Sequence, residues 1–462
     1  MRLSNQIYIS SNEPCYEKLL DYAKSELTLI NPEYTKKKRM GFYLGNTPKS
    51  ICLYQQIDNE LVLPYGTLKD IIRLRPDADI ELGFSKQPVI DYDCVVPLYD
   101  YQKIAVTEMV KATNGILCSK AGSGKTQMGI ALISELKRRT LWLTTTKDLL
   151  NQSKERAERY IDKSLLGTIT EGKVNIGKGI TFATIQTMCK LDLSLYRDYW
   201  DVVIVDECHR CVSSPTTVTM FGKVINGLAA RHKYGLTATV HRADGLIEAT
   251  FALIGRVAYT VPDEAVADKV MTVKIQRQDT GTTIHPSCLD TDGTLVYAKL
   301  INYLAENSRR NLYISCDLVD NANHYNLILS DRLEHLRWLI SSMPDELQDL
   351  CVMIDGSMTS KKAKAEREQA IEDMRSGKKR YLFASYRLAK EGLDIPRLDR
   401  LYLTTPQKDF AVIVQSVGRI ARTFEGKENP ICYDYVDDID YLVNAYKQRC
   451  RHYRKSGCEV QK

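Results

Sequence analysis

The stretch SKAGSGKTQMGIALISEL, beginning at Ser119, sets two glycines, a lysine and a threonine between the apolar run GILC and a helix-like pattern. Strand, glycine-rich turn and helix in that order make a phosphate cradle, because successive backbone N–H groups and the helix N-terminus converge on one anion. Ala121, Gly122, Ser123, Gly124, Lys125 and Thr126 would line it. The glycines permit the tight conformation, Lys125 reaches the outer phosphates, and the Thr126 hydroxyl takes a Mg²⁺ ion. Ser119 stands where the general pattern G-x-x-x-x-G-K-[ST] has its first glycine.

A phosphate loop needs acidic partners before it can hydrolyse anything. The stretch DVVIVDECHRC, residues 201–211, is an apolar run ending in two carboxylates. On a strand neighbouring the loop, Asp206 would hold Mg²⁺ through water and Glu207 would orient and deprotonate an attacking water. Cys208, His209 and Cys211 offer half of a zinc site as a competing use. Structural zinc needs a second ligand pair, and no C-x-x-C or H-x-x-x-H of that kind accompanies them. The two cysteines therefore read as packing residues.

These groups require a scaffold that brings strand ends side by side. From about residue 100 to 260, the runs GILCS, TLWLTTT, GITFAT, DVVIVD and YGLTAT alternate with helical patterns, the rhythm of a mostly parallel sheet. A second series follows: NLILSD, CVMIDG, RYLFAS, RLYLTT and PICYDYVD. Between the two, residues 262–301 carry QDTGTTIHPSCLDTDGT, whose Gly, Thr, Asp and Pro content reads as connection. The opening residues show hairpin-like punctuation and suggest a small α+β module. The expected division is 1–92 for that module, 93–268 for the first α/β unit and 269–462 for the second with a basic tail.

AGSGKT, DECH, LTAT (236–239) and QSVGRIAR (415–422), in that order, make the chain resemble the superfamily 2 helicases over residues 101–437. The resemblance implies an α/β fold with two tandem RecA-like P-loop domains, ATP and Mg²⁺ between them, and nucleic acid across their tops. It also implies residue roles. Gln102, in LYDYQKIAV, would read the adenine. TTTKDLLNQ and ATIQTM resemble strand-contacting motifs of the first domain, and LILSDRLEHLRWL resembles motif IV of the second. Gly392 and Asp394, in SYRLAKEGLDIPRLDRL, would lie near the nucleotide. His209, Thr237, Thr239 and Gln415 would couple the Mg²⁺ site to the bound strand. Gln415, Arg419 and Arg422, at spacings of four and three, are expected on one helix face, where the two arginines would stabilise charge on the transferring γ-phosphoryl. Val412, Ile413, Val417 and Ile420 beside them predict that this helix is largely buried.

VHRADG (240–245) resembles the Arg-Glu-Asp element of the XPB-like branch, which acts on duplex or branched DNA. Ala243 replaces the Glu, so a strand-separating role for Arg242 and Asp244 stands beside an ordinary surface turn. Parts of the second half and, more loosely, the opening NPEYTKKKRMGFYLGNTPKSICLY are similar to members of this branch carried by phages and mobile elements. In that opening, Lys36, Lys37, Lys38 and Arg39 lie near Tyr34, Phe42 and Tyr43, so phosphate-binding cations adjoin rings that can stack on bases. A solvated charged face is the alternative. The C-terminal KQRCRHYRKSG reads as a frayed basic tail.

The bulk numbers are permissive. Of 462 residues, 44% are hydrophobic and 26% charged, the balance of a soluble globular protein. A net charge of +6 tolerates a polyanion without demanding one. No signal peptide and no long apolar run are visible, so a cytoplasmic protein without a membrane partner is expected, and thirteen scattered cysteines read as free thiols. The leading expectation is an ATP-driven translocase on duplex, branched or single-stranded DNA. An RNA helicase, the motor subunit of a restriction or defence complex, and an ATP-binding clamp with little turnover remain alternatives. Oligomeric state is open, a monomer included.

Overall fold

The structure is a computed structural model describing residues 1–462 except 15, 121, 213–214, 241–244, 267–269, 356–360, 387, 389–392, 394, 408–409 and 462. It divides into two units, residues 1–120 with 124–262, and 121–123 with 263–462.

In the first unit an eight-stranded sheet runs Lys173–Asn175, Leu166–Thr170, Ile180–Thr184, Thr140–Thr144, Val202–Asp206, His232–Thr237, Asn114–Cys118 and Val257–Thr260. All pairs are parallel except the first. TLWLT and VVIVD are buried at every position, as strands covered by helices on both faces must be. The order corrects one expectation: the carboxylate-bearing strand does not neighbour the phosphate-loop strand, because His232–Thr237 lies between them. Strands that are apolar on both faces carry no signal of adjacency, which the crossover helices decide.

The opening residues build a second, five-stranded sheet in the order Gln55–Ile57, Glu60–Leu63, Ile7–Ser10, Arg2–Leu3 and Glu81–Leu82, with the helix Tyr16–Glu26. Its core of Leu3, Ile7, Ile9, Leu61 and Leu63 includes Ala252 from the helix Ile247–Ile254. Polar clasps reinforce the join. Asn5 donates to Asn226 O, Tyr65 OH to Arg231 O at 2.6 Å, and the fully buried Lys233 to Asn5 O at 2.9 Å and Ile225 O at 2.8 Å.

The second unit holds a seven-stranded parallel sheet in the order Cys351–Ile354, Tyr381–Ser385, Asn326–Ser330, Arg400–Leu403, Ile431–Val436, Lys274–Asp279 and Glu459–Val460. Two sequence expectations fail here. Lys274–Asp279 lies inside the stretch read as connection, yet it pairs along its length with Ile431–Val436. The basic C-terminus is not frayed: the helix Asp440–Lys455 buries Tyr446, Arg449, Cys450 and Tyr453, and the chain ends on an edge strand. Arg449 forks onto Asp434 through two 2.8 Å bonds, and Tyr453 OH adds a third at 2.7 Å. A charge so paired belongs to the core.

Candidate active site

The helix Lys125–Leu136 starts directly behind the glycine-rich turn, where Gly122 and Gly124 hold φ of 87° and 81°. The positive φ at Gly124 favours glycine, and a Cβ there would lie 2.5 Å from Gln102 Nε2. That contact sets the buried Gln102 amide against the loop, while its Oε1 accepts from Tyr99 N at 3.0 Å. The Lys125 ammonium, 9% exposed, donates to the carbonyls of Ser119 and Lys120 at 3.2 Å each and forms no ion pair among the described residues. A buried cation resting on carbonyls at the start of a helix suits a polyphosphate. Ser123 is buried and Thr126 half-buried in the first helical turn. Ala121 lies outside the described residues.

Asp206 ends its strand buried, its Oδ1 accepting from Glu207 N at 3.0 Å and its Oδ2 from Ser153 Oγ at 3.2 Å. Burial, and then the Glu207 charge, push its pKa up to about 6 against the lowering effects of Lys125 and Ser153. Two adjacent carboxylates fit a divalent cation. Glu207 adopts φ 49°, the left-handed region, at a cost of about 1 kcal/mol for a residue with a Cβ.

His209 Nδ1 lies 3.3 Å from Glu207 Oε2 and 2.9 Å from Thr237 Oγ1. The Thr237 hydroxyl donates to Thr239 O at 2.8 Å and accepts from Thr239 N at 3.2 Å. Its single proton is thereby committed, which leaves Nδ1 of His209 to donate and fixes the tautomer. Thr237 O accepts from Ser119 N at 3.0 Å. One residue on the intervening strand thus bonds the phosphate loop through its backbone and the acidic motif through its side chain.

Ser153, the hydroxyl that holds Asp206, was not anticipated from sequence; its partner is 53 positions away and no spacing rule links them. Cys208 packs as expected: a Cβ on Gly235 would lie 2.7 Å from its Sγ, and burial drives the thiol well above its ordinary pKa. No cluster of three metal-binding side chains occurs among the described residues.

In the second unit the helix Phe410–Ile420 buries Val412, Ile413, Val417 and Ile420, as their pattern predicted. Gln415 and Arg419 are half-buried on it, with Arg419 Nη1 3.3 Å from Leu393 O. Arg422 is not on the helix, so the three residues do not share one helical face. The chain turns extended after Ile420: Met271 N donates to Ala421 O at 2.7 Å, and Arg422 bridges antiparallel to Val270. Lys427 Nζ then donates to Arg422 O at 2.7 Å and Pro396 O at 3.1 Å. Gly392, Asp394, Arg242 and Asp244 lie outside the described residues. Of the basic residues near the N-terminus, Lys37 is occupied within its own segment, by Glu33 and Thr47 Oγ1 at 2.8 Å each, while Lys38 and Arg39 are exposed.

Two sequence families match the chain, the type III restriction enzyme res subunit over residues 96–242 and the helicase conserved C-terminal domain over 297–424. Together they span more than half of it. Similar proteins include the putative ATP-dependent RNA helicase L396 of Acanthamoeba polyphaga mimivirus, 25% identical over 98% of this chain and 85% of the relative. Probable helicase D10 of Escherichia phage T5 is 27% identical over 74% and 72%. DNA 3'-5' translocase XPB2 of Sulfurisphaera tokodaii is 33% identical over 38% of each. Among solved structures, the type ISP restriction-modification enzyme LlaBIII bound to DNA aligns with TM-score 0.56 at 15% identity, over 78% of this chain and 30% of that one. S. cerevisiae Dbp5 bound to RNA and ADP BeF3 aligns with TM-score 0.54 at 16% identity, over 78% and 88%. Fold and matches together define an α/β protein built on two tandem RecA-like helicase domains. The chain belongs to superfamily 2, among XPB-like and viral or phage relatives, and is an ATP-dependent nucleic-acid helicase or translocase.

Proposed function

We propose that this motor acts on DNA, in duplex, branched or single-stranded form, and that Mg²⁺–ATP is its fuel. The phosphate loop and Lys125 hold the outer phosphates, and Thr126 and Asp206 bind the metal. Mg²⁺ there supplies charge neutralisation of the phosphates. Glu207 orients the attacking water, Arg419 and Arg422 neutralise charge on the transferring phosphoryl group, and Gln102 reads the adenine. Lys38 and Arg39 are assigned to backbone phosphates.

The observation that carries the motor reading over a passive clamp is Thr237. A binding site alone has no use for a strand end that bonds the phosphate loop at 3.0 Å and the acidic motif at 2.9 Å at once. A residue so bonded links the two motifs directly, which supports communication between them. DNA is favoured by the translocase relative, whose name states its substrate. RNA is the second reading, because the relative covering nearly the whole chain is called an RNA helicase.

ATPase rates measured without polynucleotide, and with single-stranded, duplex and forked DNA and with RNA, separate these readings. Greatest stimulation by duplex or forked DNA is expected. Stimulation by RNA equal to or above that by every DNA would overturn the DNA assignment.

A further inference from the structure

Residues 31–49 leave and rejoin a two-stranded sheet, Thr28–Ile30 with Ser50–Cys52, as one excursion. Fully buried Asn31 pins its feet. Its Oδ1 accepts from Glu33 N at 3.0 Å and Tyr34 N at 3.4 Å, its Nδ2 donates to Pro48 O at 2.8 Å, and its backbone N donates to Lys49 O at 3.1 Å. Leu29 and Ile51, at those feet, pack against the core of the eight-stranded sheet. The excursion is therefore a bracket anchored at its feet on the first unit.

What the bracket displays is unusual for a surface. The helix Pro32–Arg39 buries no side chain, and beyond it Met40, Phe42 and Tyr43 are 50%, 59% and 91% exposed. Three large side chains within four residues are thus left half or more exposed. A Cβ on Gly45, itself at φ 49°, would lie 3.3 Å from Tyr43 Cε1, so the glycine leaves that side of the ring open. Lys36, Lys38 and Arg39 make no ion pair or side-chain hydrogen bond among the described residues, in contrast with Lys37. Lys36 and Arg39 stand three apart and so share a side of the helix.

Charge and shape together select the partner. Unpaired cations call for phosphates, and an exposed ring calls for a flat π face; an unpaired stretch of polynucleotide supplies both. We propose that residues 40–43 form a stacking platform for an unpaired base at a duplex end, with Lys36, Lys38 and Arg39 taking phosphates of the same strand. This rests on the DNA reading above and adds a device that holds separated strands apart.

The test uses the full chain and a forked DNA with 2-aminopurine at the first unpaired position. The Phe42→Ala, Tyr43→Ala double variant is expected to separate about tenfold fewer strands per ATP hydrolysed and to lose the fluorescence change on binding. Tyr43→Trp is expected to retain both. Lys36→Ala, Lys38→Ala and Arg39→Ala combined should lower the salt dependence of binding by a slope of about 2 to 3. Wild-type yield per ATP together with an unchanged fluorescence response in the double aromatic variant would overturn the platform alone. Absence of any polynucleotide-stimulated ATPase in the wild-type chain would overturn the underlying motor-on-DNA reading, and the platform with it.

Discussion

Thr237→Val isolates the relay, because it deletes one hydroxyl and leaves the side-chain volume nearly intact. That hydroxyl makes three contacts: His209 Nδ1 at 2.9 Å, Thr239 O at 2.8 Å and Thr239 N at 3.2 Å. A neutral hydrogen bond contributes about 0.5–1.5 kcal/mol net, and a stranded buried donor costs about 1–3 kcal/mol. Thr239 is half-exposed, so its backbone groups can turn to water; His209, 5% exposed, cannot. Glu207 Oε2, 3.3 Å from the same ring nitrogen, takes over part of the donor. The expected destabilisation is therefore about 2 kcal/mol, read from the denaturant midpoint. The functional loss should be larger in kind. The ratio of polynucleotide-stimulated to unstimulated ATPase is expected to fall at least about tenfold, equivalent to about 1.4 kcal/mol of coupling. Thr237→Ser, which restores the hydroxyl, should recover most of the ratio. A valine variant that is destabilised as calculated yet stimulated like wild type would refute the relay and leave Thr237 a structural residue.

Four other substitutions test other parts of the site. Glu207→Gln keeps the shape and removes the base, so ATP should bind and persist, seen as retained nucleotide after gel filtration with turnover reduced by at least about a hundredfold. Arg422→Ala should bind ATP within a few-fold of wild type and lose hydrolysis; turnover at full speed would sink its assignment. Lys427→Met removes the clasp on Arg422 O and Pro396 O. A fall in kcat of about three- to tenfold with KM little changed is expected if the clasp positions the arginine, and a matched change in both if it does not. Lys233→Met addresses pH. Burial holds the Lys233 ammonium down to about 7 from 10.5. The unfolded chain then binds more protons between those values, so wild-type stability should rise with pH from about 7 to 9 by up to ~1.4 kcal/mol per unit. The methionine variant should give a flatter profile of denaturant midpoint against pH over that window.

The motifs of the first unit were legible in the sequence because each sits where an apolar strand ends, and the strand runs themselves are long enough to read. Their order across the sheet was not. That His232–Thr237 separates Asn114–Cys118 from Val202–Asp206 depends on which face each crossover helix takes, and both flanking strands are buried at every position but Cys118. Lys274–Asp279 escaped notice because KIQRQD carries one apolar residue, Ile275, and runs directly into the turn-forming TGTTIHPSCLDTDGT. The C-terminal helix did carry a signal. Tyr446, Arg449, Cys450 and Tyr453 repeat at three, one and three, an inward stripe that is visible once Arg449 is counted with the core. Its partner Asp434, 15 positions earlier, is what permits that. Arg422 was misplaced for a related reason: helix periodicity extends past Ile420 on paper, while the bridge to Val270 pulls the backbone straight.

The strand His232–Thr237 links two properties that the sequence offered separately. Near its start, Lys233 is clasped by the carbonyl of Asn5 and lies 4.7 Å from the Tyr65 ring, both from the opening module. At its end, Thr237 joins the phosphate loop to the acidic motif. Four residues of extended chain separate these points, about 13 Å at the usual rise per residue. Parallel ladders bind the strand on both sides, from Lys233 paired with Val203 to Thr237 paired with Cys118. A strand so held cannot shift at one end alone, since slipping by a residue would break both ladders and reverse its buried faces. A displacement that reaches Thr237 from the phosphate loop is thus shared with the surface on which the opening module is clasped. The bracket of residues 31–49 belongs to that module, and its feet pack on the same core. Nucleotide chemistry and the feet of that bracket are thus joined through packed strands.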